Sequence, residues 1–304
     1  MDNLTHSLAG ALLGQIGLKR LSGRAMPTLI IAANLPDIDA LTSVLGLPSL
    51  ALRRGVTHGP IALLLLPLLL TALMIAWDRW RPRPDAPPVR PAALLLLAYV
   101  GTLSHPALDW LNSYGIRLLE PFSSTWYAGD TLFIIDLWLW IALVAGVWLS
   151  LRRERAGRSD AIRPAIAAFA AICAYIFANG LITGQAERVA STRLAERRIA
   201  PTLVVANPVP VQFWRRELLW RDAARYGSGG FVLGQEITGL SSAVPLRLDD
   251  PRLAALAKRP DIAAFLFWSR MPIVVDDEAG RPFLTDQRFA LGIARGRFAI
   301  ALDE

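Results

Sequence analysis

The chain has 304 residues, a formal net charge of +7 and a single cysteine, Cys173, so an intramolecular disulfide is excluded. Hydrophobic residues make up 54% of it and the mean hydropathy is +0.39, which excludes a protein that is an ordinary soluble domain throughout. The basic residues are scattered and are not interleaved with aromatic residues, so we expect no nucleic-acid partner.

Six apolar segments occupy the first part of the chain. Two are short, residues 8–18 and 26–35, and two alternatives stay open for them: membrane spans, or a re-entrant hairpin covered by other helices. The N-terminus lacks the basic region and cleavage site of a secretory signal, so we expect the first helix to be retained. Four segments reach about the 20 residues that a bilayer-spanning helix needs, at 61–77, 92–111, 131–151 and 165–183.

The predicted fold class is therefore mainly α: a multi-pass transmembrane helical bundle over residues 1–184, followed by a small α+β domain over residues 185–304. In the second part, two helices are predicted at 250–258 and 261–270, the first because aspartate and proline stand at its start. Short alternating runs typical of strands lie at 202–206, 209–214, 230–235, 272–277 and 297–302.

Arginine-rich short loops predict the orientation in the membrane. Such loops stay on the cytoplasmic side, and the chain has three of them, at 19–24, 78–90 and 152–158. With all three inside, the N-terminal tip and residues 36–58 and 112–130 lie outside. The domain at 185–304 is then extracytoplasmic, because long domains cross regardless of their charge.

The chain has only three histidines, and each follows a serine or threonine at or within an apolar segment: His6, His58 and His105. The orientation above places all three near the outer surface. His105 and Asp109 have i, i+4 spacing, which puts both side chains on one helix face, and Asn112 continues that face. Imidazole and carboxylate ligands without a thiolate suit zinc, manganese or iron.

Asp37 and Asp39 follow Pro36 at a predicted helix end on the same side of the membrane. One carboxylate could bind a metal ion while the other supports it. The alternatives are ordinary: an aspartate at a helix end is often a cap, and a histidine in a membrane helix can hydrogen-bond to another helix. Because buried ionisable groups are costly in a membrane, their clustering on one side favours a shared metal site.

Four further residues are possible additions to this site. Asp136 is predicted to lie inside a span, facing the bundle, with Asp130 nearby. Arg53 and Arg54 precede His58 on the outer side, where they could hold a phosphate group. A solvated loop is the slightly favoured interpretation of these two arginines.

Five motifs in order, "MDNLTHSLAG", "AANLPDID", "RRGVTHGP", "LSHPALDWLNSYG" and "EPFSS", resemble those of the YdjM-like family. The resemblance covers about residues 1–140 and is looser in the later helices. Members are bacterial inner-membrane proteins described as membrane-bound metal-dependent hydrolases. The resemblance therefore implies localisation in the bacterial cytoplasmic membrane and a bound divalent metal ion.

The order of these residues is also distantly similar to that of the helical zinc-dependent phospholipase C and P1-nuclease group. That similarity implies His6, Asp37 or Asp39, His58, His105 and Asp109 as zinc ligands, with Asp109 able to bridge two ions. The group has further histidines downstream, whereas this chain has none after His105. One or two ions are therefore expected, with Asp130 or Asp136 as a substitute ligand.

Together these observations predict a metal-dependent hydrolase that acts on a phosphoester or lipid-linked substrate at the outer face of the membrane. Its partners would be the lipid bilayer and a phospholipid or lipid-linked phosphate. Asp37 is predicted as a ligand and Asp39 as a ligand or general base, so both carboxylates are candidate catalytic residues. The alternatives are a proton- or ion-coupled transporter, supported by Asp136, and a non-catalytic membrane protein with a structural metal.

Overall fold

The computed structural model describes residues 1–235, 237–290, 296 and 298–302. The chain divides into two compact units. The N-terminal unit comprises Met1–Ala40 and Arg54–Asn179, and the C-terminal unit comprises Leu41–Arg53 and Gly180–Glu304. Helix α6 contributes residues to both units.

Six α-helices follow one another between residues 3 and 196. Two begin at an aspartate cap: Asp2 accepts hydrogen bonds from the backbone N–H groups of Leu4 and Thr5, and Asp136 accepts one from Leu139. Two others begin with a proline, at a position where its missing N–H costs no hydrogen bond. The helices are α1 (Asn3–Gln15), α2 (Ala25–Ala32), α3 (Pro60–Trp80), α4 (Pro91–Trp110), α5 (Leu137–Arg155) and α6 (Arg163–Glu196).

Three of the described helices, α3, α4 and α6, are long and apolar enough to cross a membrane. These are counterparts of three of the four long segments found in the sequence. The fourth, α5, is not among them, because charged residues fill its last turn. Helix α2 and the 3₁₀ segment Leu35–Leu45 would pass the same test only as one pair bent by 41°, which is a broken span or a re-entrant loop.

Glycines let α2 lie close to both α1 and α4. A Cβ atom on Gly10 of α1 would lie 2.7 Å from the carbonyl oxygen of Leu29, and one on Gly101 of α4 would lie 3.0 Å from the same oxygen. Small residues at such positions allow helix backbones to approach closely. This packing fixes the end of α2, at Ala33, between the helices that carry His6 and His105.

The described residues of the C-terminal unit form two antiparallel sheets and, after α6, two short α-helices. The first sheet has the order β1 (Leu203–Pro208), β2 (Arg215–Arg221), β3 (Arg225–Val232) and β4 (Val244–Pro245). The second has the order β5 (Pro272–Asp276), β6 (Pro282–Asp286) and β7 (Ala299–Ala301). The predicted helices are present as α7 (Pro251–Leu256) and α8 (Pro260–Trp268).

Two strand predictions in this unit are wrong. Residues 209–214 connect β1 to β2 and are not a strand, because Pro210 has no N–H and Val211 has a left-handed φ of 67°. Residues 230–235 contain only the end of β3, after which the chain turns at Gly234 with φ 78°. The predicted strand at 297–302 corresponds to β7, although residue 297 lies outside the described part of the chain.

The core of the first sheet is formed with the last part of α6. Ile182, Ala186 and Ala190 of α6 lie in one buried cluster with Ala206, Leu218 and Phe231. Beside the second sheet, Asp286 and Arg288 form a fully buried ion pair with an N–O distance of 2.8 Å. A buried charge of this kind is tolerated because its partner is present and hydrogen-bonded.

Candidate metal centre

Six ionisable side chains from four segments of the N-terminal unit are buried close together. Each is at most 7% exposed. They are His6 in α1, Asp37 and Asp39 in the 3₁₀ segment Leu35–Leu45, His58 at the end of the 3₁₀ turn Val56–His58, and His105 and Asp109 in α4. The i, i+4 spacing on α4 does bring His105 and Asp109 to one helix face, as predicted.

Asp37, His58, His105 and Asp109 form the centre of this arrangement and are called the four-residue group below. Each offers a ligand atom, and these atoms lie within 4.8 Å of one another. The Nε2 atoms of His58 and His105 are 3.1 Å apart. Each is also 3.5 Å from Oδ2 of Asp109, and Nε2 of His105 is 3.6 Å from Oδ1 of Asp37. The group could therefore hold a metal ion.

The hydrogen-bond partners of the two imidazoles fix where their protons lie. Nδ1 of His105 is 2.7 Å from the carbonyl oxygen of Ala33, which only accepts, so Nδ1 carries the proton. The hydroxyl of Thr57 donates to Asp39 at 2.8 Å and therefore accepts from Nδ1 of His58 at 3.0 Å. In their neutral forms, both rings thus direct the lone pair of Nε2 toward the other ring.

Two nitrogen lone pairs at 3.1 Å repel each other unless a cation lies between them. A metal with tetrahedral bonds of about 2.0–2.1 Å would need ligand atoms about 3.3–3.4 Å apart. The triangle formed by the two Nε2 atoms and Oδ2 of Asp109 has sides of 3.1, 3.5 and 3.5 Å. Oδ2 of Asp109 is buried and pairs with Arg54, but it accepts no hydrogen bond from either imidazole. The donors present therefore fit a small divalent metal.

The protonation state of His58 also fits a bound metal ion. Burial lowers the pKa of its imidazole to about 4, against the opposing effect of the hydrogen bond to the Asp39 carboxylate. The ring is therefore neutral near pH 7, and the neutral ring is the form that binds metal.

The guanidinium of Arg54 neutralises the charge of the Asp109 carboxylate. Its Nε is 2.9 Å from Oδ2, and its Nη2 donates to Oδ1 at 3.0 Å. The amino group of Met1 contacts the same carboxylate. Asp109 is thus surrounded by cationic groups on one side and by the imidazoles of the four-residue group on the other.

The expected solvated loop around Arg54 is wrong. Arg54 is 4% exposed and has a left-handed φ of 51°. Its Nη1 donates to Oδ1 of Asn112 at 3.1 Å, and its guanidinium lies 4.8 Å from the ring centre of Tyr114. Asn112 does not continue the helix face, because α4 ends at Trp110; it lies beyond the helix end, where it contacts the arginine. Arg53 belongs to the C-terminal unit.

His6 lies next to the four-residue group without being part of it. Its Nε2 is 3.2 Å from Oδ1 of Asp109, and its ring stacks on His105 with centres 3.8 Å apart. Among the described residues, Nδ1 of His6 has no hydrogen-bond partner. The role of His6 as a metal ligand stays a prediction.

Asp39 supports His58 instead of facing the two Nε2 atoms. Its Oδ2 accepts from the backbone N–H of Arg54 at 2.7 Å and from Thr57 at 2.8 Å, and lies 3.5 Å from Nδ1 of His58. A carboxylate in this place fixes the orientation of a metal-binding imidazole and raises its basicity.

Asp136 does not lie inside a span, which corrects the prediction. It precedes α5, caps Leu139 and accepts hydrogen bonds from the hydroxyl of Tyr175 at 3.0 and 3.2 Å. A carboxylate is favoured at a helix N-terminus because the exposed N–H groups there need an acceptor. Asp130 is buried, and neither aspartate belongs to the four-residue group. The observation that supported a transporter is therefore lost.

The sequence analysis does not find four contributors: Thr57, the Ala33 carbonyl, Tyr114 and the amino group of Met1. A signal existed for Thr57, because every histidine follows a hydroxyl residue and this hydroxyl sits on the imidazole. No sequence signal marks the carbonyl of Ala33, since any residue provides one.

A comparison with family models identifies one match. The model of the YdjM inner membrane protein family matches residues 1–186, which include every residue of the site described above. No curated protein and no solved structure matches the chain.

Proposed function

The chain belongs to the YdjM inner membrane protein family, and we propose that it is a membrane-bound metal-dependent hydrolase with the four-residue group as its metal centre. The observation that carries this proposal is the approach of two imidazole lone pairs, His58 Nε2 and His105 Nε2, to 3.1 Å beside a buried carboxylate. Such an arrangement is unfavourable without a cation and suitable with one.

Zinc is the ion that we propose. Two imidazole nitrogens and two carboxylate oxygens are borderline ligands that zinc accepts readily, and no thiolate is present. We propose a single ion, because the guanidinium of Arg54 already neutralises Asp109 on the side where a second cation would bind. The two carboxylates of the group carry two negative charges, of which Arg54 offsets one.

A bound divalent metal supplies Lewis acidity and lowers the pKa of a coordinated water toward neutrality. Within the chain, Asp37, His58, His105 and Asp109 would hold the ion. Asp39 and Thr57 would keep His58 in the tautomer whose Nε2 is free of its proton. The Ala33 carbonyl does the same for His105.

We propose a phosphoester substrate, carried by a lipid or a lipid-linked group, at the outer face of the cytoplasmic membrane. The proposal rests on the expectation that the arginine-rich loops stay on the cytoplasmic side, which would direct the site outward, and on the resemblance of the ligand order in the sequence to that of zinc phosphoesterases. Both are weaker support than the ligand geometry, because function belongs to the site and not to the fold.

The test is hydrolysis by the purified protein in detergent. The protein is stripped with a chelator, reloaded with zinc, and assayed on phosphomonoester and phosphodiester lipids. We expect turnover that depends on zinc and is lost in His105→Ala. Asp136→Asn is the matched control, because it alters a buried aspartate that caps α5 outside the group. Absence of turnover with every lipid, at full zinc loading, would contradict the hydrolase.

A second candidate is favoured by the burial of the site. All four ligands are at most 7% exposed, and a closed site with four protein ligands is typical of structural zinc. X-ray absorption of the zinc-loaded protein distinguishes the two candidates. Three protein ligands with one water support catalysis, whereas four protein ligands without water support a structural ion.

A further inference from the structure

An apolar cluster lies at the tip of the hairpin formed by β1 and β2. It consists of Val211, Phe213, Trp214 and the neighbouring Leu233, and is called the hairpin tip below. These side chains are between 36% and 49% exposed. The N–H of Leu233 donates to the carbonyl of Trp214 at 2.9 Å, which joins the end of β3 to the loop.

A tight turn shapes the loop. The N–H of Gln212 donates to the carbonyl of Pro210 at 2.8 Å, with Val211 between them at φ 67°. This is a γ-turn with a positive central φ, a rare and strained conformation, and it is rarer still for a β-branched residue. Phe213 and Trp214 follow it with their rings in edge-to-face contact, 5.1 Å apart.

The hairpin tip is attached to α6 through one buried side chain. Arg216 is 1% exposed, and its Nε donates to the hydroxyl of Thr183 in α6 at 3.0 Å. Its Nη1 donates to the carbonyl oxygen of Phe213 at 2.8 Å. The contacts fix the loop at the level of Thr183. Leu218 of β2 lies in the same buried cluster as Ile182 and Ala186 of α6, so β2 packs on this part of the helix.

Thr183 lies where α6 is expected to leave the bilayer. The helix has no charged residue between Arg163 and Glu187, and a span of about 20 residues from Pro164 ends at Thr183. The hairpin tip is therefore level with Thr183, the residue at which this span of α6 is expected to end.

We propose that the hairpin tip inserts into the interfacial region of the lipid bilayer beside α6 and anchors the C-terminal unit on the membrane surface. Tryptophan favours this region, because its ring is apolar while its indole N–H can stay hydrated, and phenylalanine adds apolar area. Residues 208–216 include no acidic residue, and Arg215 among them is exposed, which suits anionic headgroups. The proposal does not depend on the metal centre.

Spin labelling of the full chain tests the proposal. Cys173 is replaced by serine, and single cysteines are introduced as Phe213→Cys, Leu233→Cys and, as the control, Ala223→Cys. Ala223 is an exposed residue in the turn between β2 and β3, at the opposite end of the same sheet. Each labelled protein is reconstituted in vesicles of phosphatidylethanolamine and phosphatidylglycerol. Collision with oxygen, which concentrates in lipid, is then compared with collision with a water-soluble nickel chelate.

We expect the ratio of oxygen to nickel accessibility to be roughly threefold or more higher at positions 213 and 233 than at 223, as for a segment buried by ~5–10 Å at the boundary. Equal ratios at all three positions would overturn the proposal. Low accessibility to both reagents at 213 and 233 would also overturn it, because the tip would then be covered by protein. The two tip positions are independent, so misfolding of one variant leaves the other to decide.

Discussion

Replacing Arg54 by glutamine is expected to tighten metal binding. The guanidinium is the counter-ion of Asp109, with N–O distances of 2.9 and 3.0 Å. A unit positive charge about 5 Å from a divalent ion opposes its binding by about 7 kcal/mol at an effective dielectric constant of about 20. Rearrangement of the neighbouring groups will absorb much of this energy. We therefore expect a gain of at least about 1.4 kcal/mol, which is tenfold in Kd.

The assay is competition for zinc against a fluorescent chelator in detergent at fixed pH. Arg117→Gln is the matched control, because Arg117 is also a buried arginine of the N-terminal unit but pairs with Glu120 at 3.1 Å. The control should leave the zinc Kd unchanged. A folded Arg54→Gln protein that binds zinc with equal or lower affinity would refute the competition between the guanidinium and the metal.

Three further predictions concern separate parts of the chain. Thr57→Val removes the hydroxyl between Asp39 and His58, and should weaken zinc binding about 10–100-fold, whereas Thr57→Ser should retain it, as measured by the same competition. Gly10→Leu forces a side chain against the Leu29 carbonyl and should cost at least about 1–3 kcal/mol in thermal unfolding, whereas Gly180→Ala, with open space around it, should cost little. Asp286→Asn breaks a buried ion pair and should lower the free energy of unfolding by about 3–5 kcal/mol in denaturant titrations at pH 7.

The last of these has a pH signature. Burial raises the pKa of the Asp286 carboxyl, but the charge and hydrogen bonds of Arg288 outweigh burial and hold the pKa below its usual value. Because the pKa is lower in the folded protein, the stabilisation is complete above pH ~4, the ordinary aspartate pKa, and is lost as pH falls through the folded pKa. A variant with the same acid sensitivity as the native protein would contradict this. An equal loss of zinc affinity in Thr57→Ser and Thr57→Val would contradict the prediction for Thr57. An equal loss of thermal stability in Gly10→Leu and Gly180→Ala would contradict the prediction for the glycines.

The four-residue group could be predicted from the sequence, because histidines are rare in this chain and two of its members lie one helical turn apart. His105 and Asp109 share a helix face by their spacing. All three histidines lie in or beside apolar segments, where an ionisable side chain is costly and therefore indicates a functional site. The direction in which Arg54 points could not be predicted. Its left-handed backbone and its contacts to Asp109 and Asn112 depend on packing between segments far apart in the chain.

Two predictions that the structure contradicts, the strand at 209–214 and the position of Asp136 inside a span, have physical explanations. The run at 209–214 alternates in polarity like a strand, but the missing N–H of Pro210 argues against a strand inside a sheet. The apolar neighbours of Asp136 predict a position inside a span. The boundary of α5 depends on a cap, which apolar composition does not reveal.

Metal content tests the central claim most directly. The protein is purified in detergent without added chelator, reloaded with zinc, and analysed by mass spectrometry for all transition metals. We predict about one zinc ion per chain in the native protein and in Asp136→Asn, and a loss of zinc in both His105→Ala and Asp109→Ala, since each removes one ligand of the four-residue group. A native protein that holds no metal after reloading, or unchanged metal content in both variants, would contradict the account.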